Sequence, residues 1–140
     1  TSDHFIRRGI YASIRTRLLK FVPEIQTVQF YGSFSSSTYI PTSDIDLVIF
    51  TKDPENDSKE VLKNIASTLL REGLVQQNCI MIDRCRVPIL KFNDSLTGIP
   101  INISINTDYA RVRTNYIRVS SSFLQFSFDD HNFNIFPFVL

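Results

Sequence analysis

No stretch of this sequence is apolar for long enough to cross a membrane, and its start, TSDHFIRRGI, lacks the hydrophobic segment of a signal peptide. A place inside the cell is expected, with no membrane partner. Cysteine is scarce: Cys79 and Cys85 are too few to frame a disulfide-stapled fold and lack metal-ligand spacing, so both are read as buried apolar residues in a reducing compartment. An excess of one charge is also missing. With 15 Lys and Arg against 14 Asp and Glu, no global field draws the chain onto nucleic acid or membrane, so any polyanion contact must be local or assisted. Internal repeats and low-complexity tracts are lacking too; Ser35-Ser36-Ser37 is too short to count.

What is present suffices for one core. At 140 residues and 43% hydrophobic, the chain is long and apolar enough for a single globular interior and too apolar to stay disordered. It begins without Met and stops in the apolar FNIFPFVL, as a piece cut at both ends would.

Between Ser2 and Pro23, Phe5, Ile6, Ile10, Ile14, Leu18 and Phe21 recur at helical spacing, with Arg7, Arg8, Arg15 and Lys20 expected on a solvated face. TVQFYG alternates into a glycine as a strand entering a turn does, and DIDLVIF is a second strand, apolar on both faces past Asp46 and therefore central. Asp57 and Glu60 stand at capping-box spacing before a helix through Val61, Ile65 and Leu69 that Gly73 can close. CIMID, RVPILKF and IPINISI are three further short strands. Together these predict an α/β domain, a mixed sheet of about five strands with flanking helices, over residues 1–107. From Thr107 the pattern changes: Tyr116, Ile117, Ser120, Phe123, Leu124 and Phe128 fit a helix, so 108–140 is expected to begin a truncated helical domain.

The residues that carry chemistry lie in FYGSFSSSTYIPTSDIDLVIF, Phe30 to Phe50. Residues two apart on a strand share a side, so Asp44 and Asp46 project together while Ile45, Leu47 and Ile49 enter the core. Two adjacent carboxylates repel unless they are in water, protonated or bridged by a cation, and such an oxygen pair suits Mg²⁺, which also grips phosphates. Gly32-Ser33 precedes them at the end of a strand, where glycine permits close backbone approach and a helical turn through SFSSST would offer free N–H groups to an anion. A phosphate cradle facing a cation site is what nucleoside triphosphate chemistry requires. In INISIN, Asn102, Ser104 and Asn106 share the face opposite Ile101, Ile103 and Ile105; if that strand lies beside DIDLVIF, Asn102 neighbours the carboxylates.

G-S, ten residues, then D-x-D, followed by VPILKF and an alternating strand, resembles the nucleotidyltransferase superfamily that includes DNA polymerase β and the poly(A) polymerases. GSFSSSTYIPTSDIDLVIF looks most like the non-canonical poly(A) polymerases of the TRAMP-complex type, whose motif reads G-S-F-x-T-x-L-Y-L-P-x-S-D-I-D. The resemblance covers Phe30 to Asn106 well and the rest loosely, through RTN at Arg113 to Asn115, FSFDD and IFPFVL.

The resemblance implies a polymerase β-like catalytic domain joined to a helical central domain. It implies AMP addition from ATP to RNA 3′ ends by two-metal-ion catalysis with Mg²⁺ or Mn²⁺, a zinc-knuckle RNA-binding partner, and a nuclear location. By position, Gly32, Ser33 and Ser43 bind the nucleotide, Asn115 touches ribose or base, and Asp44 and Asp46 hold the metals. Asn115 equally suits a helix cap. The departure is Asn102, which stands where the family has a third aspartate; an amide offers one oxygen but neither charge nor a proton acceptor. Activity is therefore expected to be weak or absent. Two alternatives stand beside this: a non-catalytic scaffold or RNA-binding subunit, and transfer to a protein or small-molecule acceptor.

Other candidates have blander readings. His4 and His131 have no partner at ligand spacing. Phe123, Phe126, Phe128, Phe133, Phe136 and Phe138 suit a core or interface better than base stacking. Arg111, Arg113 and Arg118 form the best local basic cluster.

Overall fold

The structure, a computed structural model, describes residues 2–31, 44–84, 87–107, 122–129 and 132–139. Helix α1 (Ser2–Phe21) leads into strand β1 (Ile25–Tyr31), then β2 (Ile45–Thr51) and helix α2 (Ser58–Arg71). Strands β3 (Cys79–Arg84), β4 (Val87–Asn93), β5 (Pro100–Ile105), β6 (Ser122–Asp129) and β7 (Asn132–Val139) follow. The seven strands form one sheet in the order β1-β2-β5-β4-β3-β6-β7. All neighbours are antiparallel except β2 and β5, which run parallel.

One face of the sheet carries both helices. Ile45, Leu47 and Ile49 of β2 and Ile101, Ile103 and Ile105 of β5 join Leu90, Met81 and Phe126 in one buried cluster with Ile10, Ile14 and Leu18 of α1 and Leu62, Ile65 and Leu69 of α2. Each such side chain contributes about 2 kcal/mol by leaving water. Helix α2 starts where Asp57 Oδ1 accepts a hydrogen bond from Lys59 N at 3.0 Å and closes at Gly73, whose φ of 73° suits the left-handed position past a helix end. Of the expected capping pair, Asp57 makes the N-cap bond, and Glu60 lies 3.5 Å from Lys63 Nζ on its own helix.

Three expectations need correction. Arg7 is not on the solvated face of α1: it is 2% exposed, because residues 7, 10, 14 and 18 form one helical stripe and Arg7 shares it with Ile10, Ile14 and Leu18. Phe5, Ile6 and Phe21, expected inward, are exposed. Residues 122–129 and 132–139 are not helical; they are an antiparallel hairpin added to β3, which makes seven strands rather than five. The reason is visible in SFLQFSFD, where Leu124, Phe126 and Phe128 alternate with Gln125 and Ser127 at the strand period of two, and aromatics favour strands. Phe126 is fully buried and stacks on Phe133 across the hairpin, with ring centroids 5.7 Å apart.

Asn106 also departs from the alternation read for INISIN. It follows β5 with φ of 48°, a left-handed conformation that Asn tolerates, and so leaves the polar face it was expected to share with Asn102. Its Oδ1 accepts from Thr51 N at 3.0 Å and its Nδ2 donates to Thr51 Oγ1 at 2.8 Å, while its own N–H donates to Ile49 O at 2.8 Å. These bonds tie the C-terminal ends of β2 and β5, the two strands that carry the site.

Candidate active site

The parallel register of β2 and β5 sets Asp46 directly beside Asn102 and Val48 beside Ser104. These residues occupy the sheet face opposite the helices, because their neighbours Ile45, Leu47, Ile101 and Ile103 face the core. Asp44 lies just before β2 and joins them. Asn102 Nδ2 donates to Asp44 Oδ2 at 3.0 Å and to Asp46 Oδ1 at 2.9 Å. Two side chains from the start of β2 and a third more than fifty residues further along the sequence thus meet at one point.

The amide does what a cation does in such a pair, only more weakly: its N–H dipoles sit between two carboxylates that would otherwise repel. Asn102 is 4% exposed, and its Oδ1 is buried without a hydrogen-bond partner. Two residues further along the same face, Ser104 Oγ is buried and unpartnered as well. Buried oxygens are rarely left unpaired, so these two point to a polar or cationic guest. The donor set fits a hard divalent ion: two carboxylates supply charge, and a half-turn of the Asn102 amide would present its orphan oxygen beside them. Among the described residues there is no cluster of three or more His, Cys, Asp or Glu that could hold a metal.

Beyond Asn102, a cleft of about 490 Å³ opens on the same face, bounded by β3, β4, β5 and the residues leading into β3. Its walls include Lys91, Ile80, Ile82, Pro100, Gln77 and Asn78. Lys91 was legible only as the single cation within the apolar run VPILKF, and the spacing of the motifs did not single it out. Cys79, fully buried on the helix side, has its thiol pushed well above the ordinary range by burial, so it is no nucleophile. Gly32, Ser33, Ser43, Cys85, Arg111, Arg113, Asn115, Arg118 and His131 lie outside the described residues. No helix among the described residues is long and apolar enough to cross a membrane.

Comparison with known proteins gives a consistent answer. A family model described as "Poly(A) RNA polymerase, mitochondrial-like, central palm domain" matches residues 3–122. Poly(A) RNA polymerase protein 1 of Eremothecium gossypii is 35% identical over 99 residues, spanning 71% of this chain and 16% of the relative. The inactive non-canonical poly(A) RNA polymerase protein Trf4-2 of Drosophila melanogaster is 28% identical over 107 residues, 76% of this chain and 25% of the relative. Among solved structures, the polymerase core of TRAMP, an RNA surveillance complex, superposes with a TM-score of 0.61 at 31% identity, covering 71% of this chain and 30% of that one. The chain therefore spans between about a sixth and about a third of the length of these proteins.

Proposed function

The chain belongs to the family of the mitochondrial-like poly(A) RNA polymerase central palm domain, and from that membership we propose that it is the palm of a template-independent nucleotidyltransferase that adds AMP from ATP to RNA 3′ ends, slowed by Asn102. The observation that carries this reading is the meeting of Asp44, Asp46 and Asn102 around one amide nitrogen on an open sheet face.

Asp44 and Asp46 would hold the divalent ions, Mg²⁺ or Mn²⁺, with Asn102 Oδ1 as the neutral third oxygen. Bound there, such ions lower the pKa of an attacking 3′-hydroxyl and neutralise charge on the departing pyrophosphate. The chain's own part is to orient the reacting groups and to set charge where it develops. Gly32, Ser33 and Ser43 hold the nucleotide, and Asn115 meets its ribose or base. Asn102 cannot accept the hydroxyl proton, and losing a general base costs roughly 10²–10⁴-fold in rate. With a net charge of +1, RNA delivery falls to a partner, for which a zinc-knuckle RNA-binding protein in the nucleus is the candidate.

The test is transfer of AMP to labelled oligoadenylate by the full-length protein and by its Asn102→Asp variant. The variant is expected to be roughly 10²–10⁴-fold faster, and Asp46→Asn to be inactive in either background. Equal rates in wild type and Asn102→Asp would remove Asn102 from the reacting centre. Labelling of a small-molecule or protein acceptor in place of oligoadenylate would keep the chemistry and replace the acceptor.

A second reading is supported by the Asn102 amide itself. Because the amide donates to both carboxylates, the arrangement also suits a non-catalytic scaffold, and a relative bears the name inactive. Calorimetry of ATP binding with and without Mn²⁺ separates the two: a scaffold shows no metal dependence.

A further inference from the structure

We propose that Ser104 is the positioning residue of the ion site: its hydroxyl, through one buried water shared with the Asn102 amide, lets that amide turn its oxygen toward Asp44 and Asp46. This rests on the nucleotidyl-transfer reading, which places a divalent ion there, and adds how a neutral third ligand is made ready for it.

Two buried oxygens on one strand carry the inference. Asn102 and Ser104 stand two apart on β5, so their side chains share the open face of the sheet, and Ser104 is only 1% exposed. Asn102 Oδ1 and Ser104 Oγ are both buried without a hydrogen-bond partner. Within the sheet Ser104 stands between Val48 of β2 and Ile89 of β4, both buried, so neither neighbouring strand sets a polar side chain beside it. Among the described residues of β5, the polar side chain that shares its face is Asn102. The two oxygens make no direct bond, yet residues two apart on a strand are only roughly 6.8 Å apart, a span that one water bonded to both side chains fits.

The hydroxyl matters because an amide has two unlike ends. With Nδ2 on the carboxylates, as it stands, Oδ1 needs a donor; with Oδ1 turned toward a cation, Nδ2 needs an acceptor. Serine answers both needs, since its hydroxyl donates one hydrogen bond, accepts two and rotates. A water between the side chains relays the reversal, donating to Oδ1 in one state and accepting from Nδ2 in the other. Alanine at 104 leaves that water one side-chain partner, below the two to four that hold a buried water. The turned amide then keeps a buried N–H unpaired, which opposes the turn. Ser104 Oγ bonds to neither carboxylate, so its effect passes through Asn102.

The experiment is a double-mutant cycle on the full-length protein: wild type, Ser104→Ala, Asn102→Asp and the two changes combined. Mn²⁺ affinity is read from the electron paramagnetic resonance signal of the free ion, with no nucleotide or RNA present. Ser104→Ala should weaken Mn²⁺ binding roughly tenfold when Asn102 is in place, the effect of one buried donor left unpaired. In the Asn102→Asp background the same change should move affinity by less than about twofold, because a carboxylate presents oxygen either way round and has nothing to turn. A serine that only fills space predicts the same change in both backgrounds. Wild-type affinity in Ser104→Ala, or an equal loss in both backgrounds, therefore overturns the assignment and leaves the ion site standing. If neither wild type nor Asn102→Asp binds Mn²⁺, the ion site fails first and takes the transfer reading and the role of Ser104 with it.

Discussion

Asn102 Nδ2 lies 2.9 Å from Asp46 Oδ1, donating across a parallel register that places the two residues side by side, and the same nitrogen reaches Asp44 at 3.0 Å. One neutral amide thus serves two carboxylates. A third carboxylate in its place would face both with no donor between them, and like charges in one site raise each other's energy of ionisation.

Asn102→Asp should therefore trade stability for ion affinity. In EDTA the variant is expected to unfold about 1–3 kcal/mol more easily, since a buried bridging donor has become an unpaired acceptor. Millimolar Mn²⁺ should restore it, because a ligand at about a hundred times its dissociation constant stabilises the native state by about 2.7 kcal/mol. Wild type should gain less from the metal. Urea melts of both proteins with EDTA and with Mn²⁺ check this, and equal midpoints in EDTA would mean that the amide does not relieve the carboxylates.

The convergence was legible in part: period-two alternation in DIDLVIF and INISI fixes which side chains share a face, while the pairing of the two strands entered as a condition that the β2–β5 register then met. The sequence could not show that Asn102 faces the carboxylates with its nitrogen, because the orientation of an amide depends on its neighbours in space. Residues 122–129 misled for a related reason. Phe123 and Leu124, read with Phe128, also satisfy helical spacing, and only pairing with β3 and β7 decides for the strand. Lys91 was hidden because a cation gains meaning from the cleft it lines, and that cleft is assembled from strands distant in sequence.

Asn106 holds its positive φ in exchange for two side-chain bonds to Thr51, which is itself 5% exposed. Asn106→Ala removes both bonds, leaves the Thr51 N–H without its acceptor and keeps the unfavourable φ. A loss of about 1–3 kcal/mol in urea unfolding is expected from the buried, unpaired N–H. Asn106→Gly, which relieves the backbone but not the bonds, should lose less. An order reversed between the two would place the cost in the backbone of the glycine variant rather than in the lost bonds.

Burial holds the Cys79 thiol well above its ordinary value of 9.0, so in the native state it keeps its proton at pH values where the unfolded chain loses it. The unfolded state then binds fewer protons than the native one, and stability falls as pH rises above about 9, by up to about 1.4 kcal/mol for each pH unit. Below that pH the group contributes no dependence. Since tyrosines and lysines titrate nearby, the quantity to measure is the difference in urea midpoint between wild type and Cys79→Ala from about pH 8 to about pH 10.5. The alanine variant pays once for its cavity at every pH but should lack this part of the decline. Parallel curves would show that the thiol ionises as easily in the folded chain as in the unfolded one.

The hairpin of β6 and β7 follows the other described strands in sequence, and its attachment depends on unequal phenylalanines. Phe126 is fully buried, stacked on Phe133 and joined to the core beneath α2, whereas Phe136, on the outer strand, is 53% exposed. Phe126→Ala removes a ring from a closed interior and is expected to cost about 3–5 kcal/mol. Phe136→Ser should change stability by no more than about 0.5 kcal/mol, as surface substitutions do. Urea unfolding of the two variants measures both effects. A Phe126→Ala protein as stable as wild type would show that the hairpin is not held by this ring.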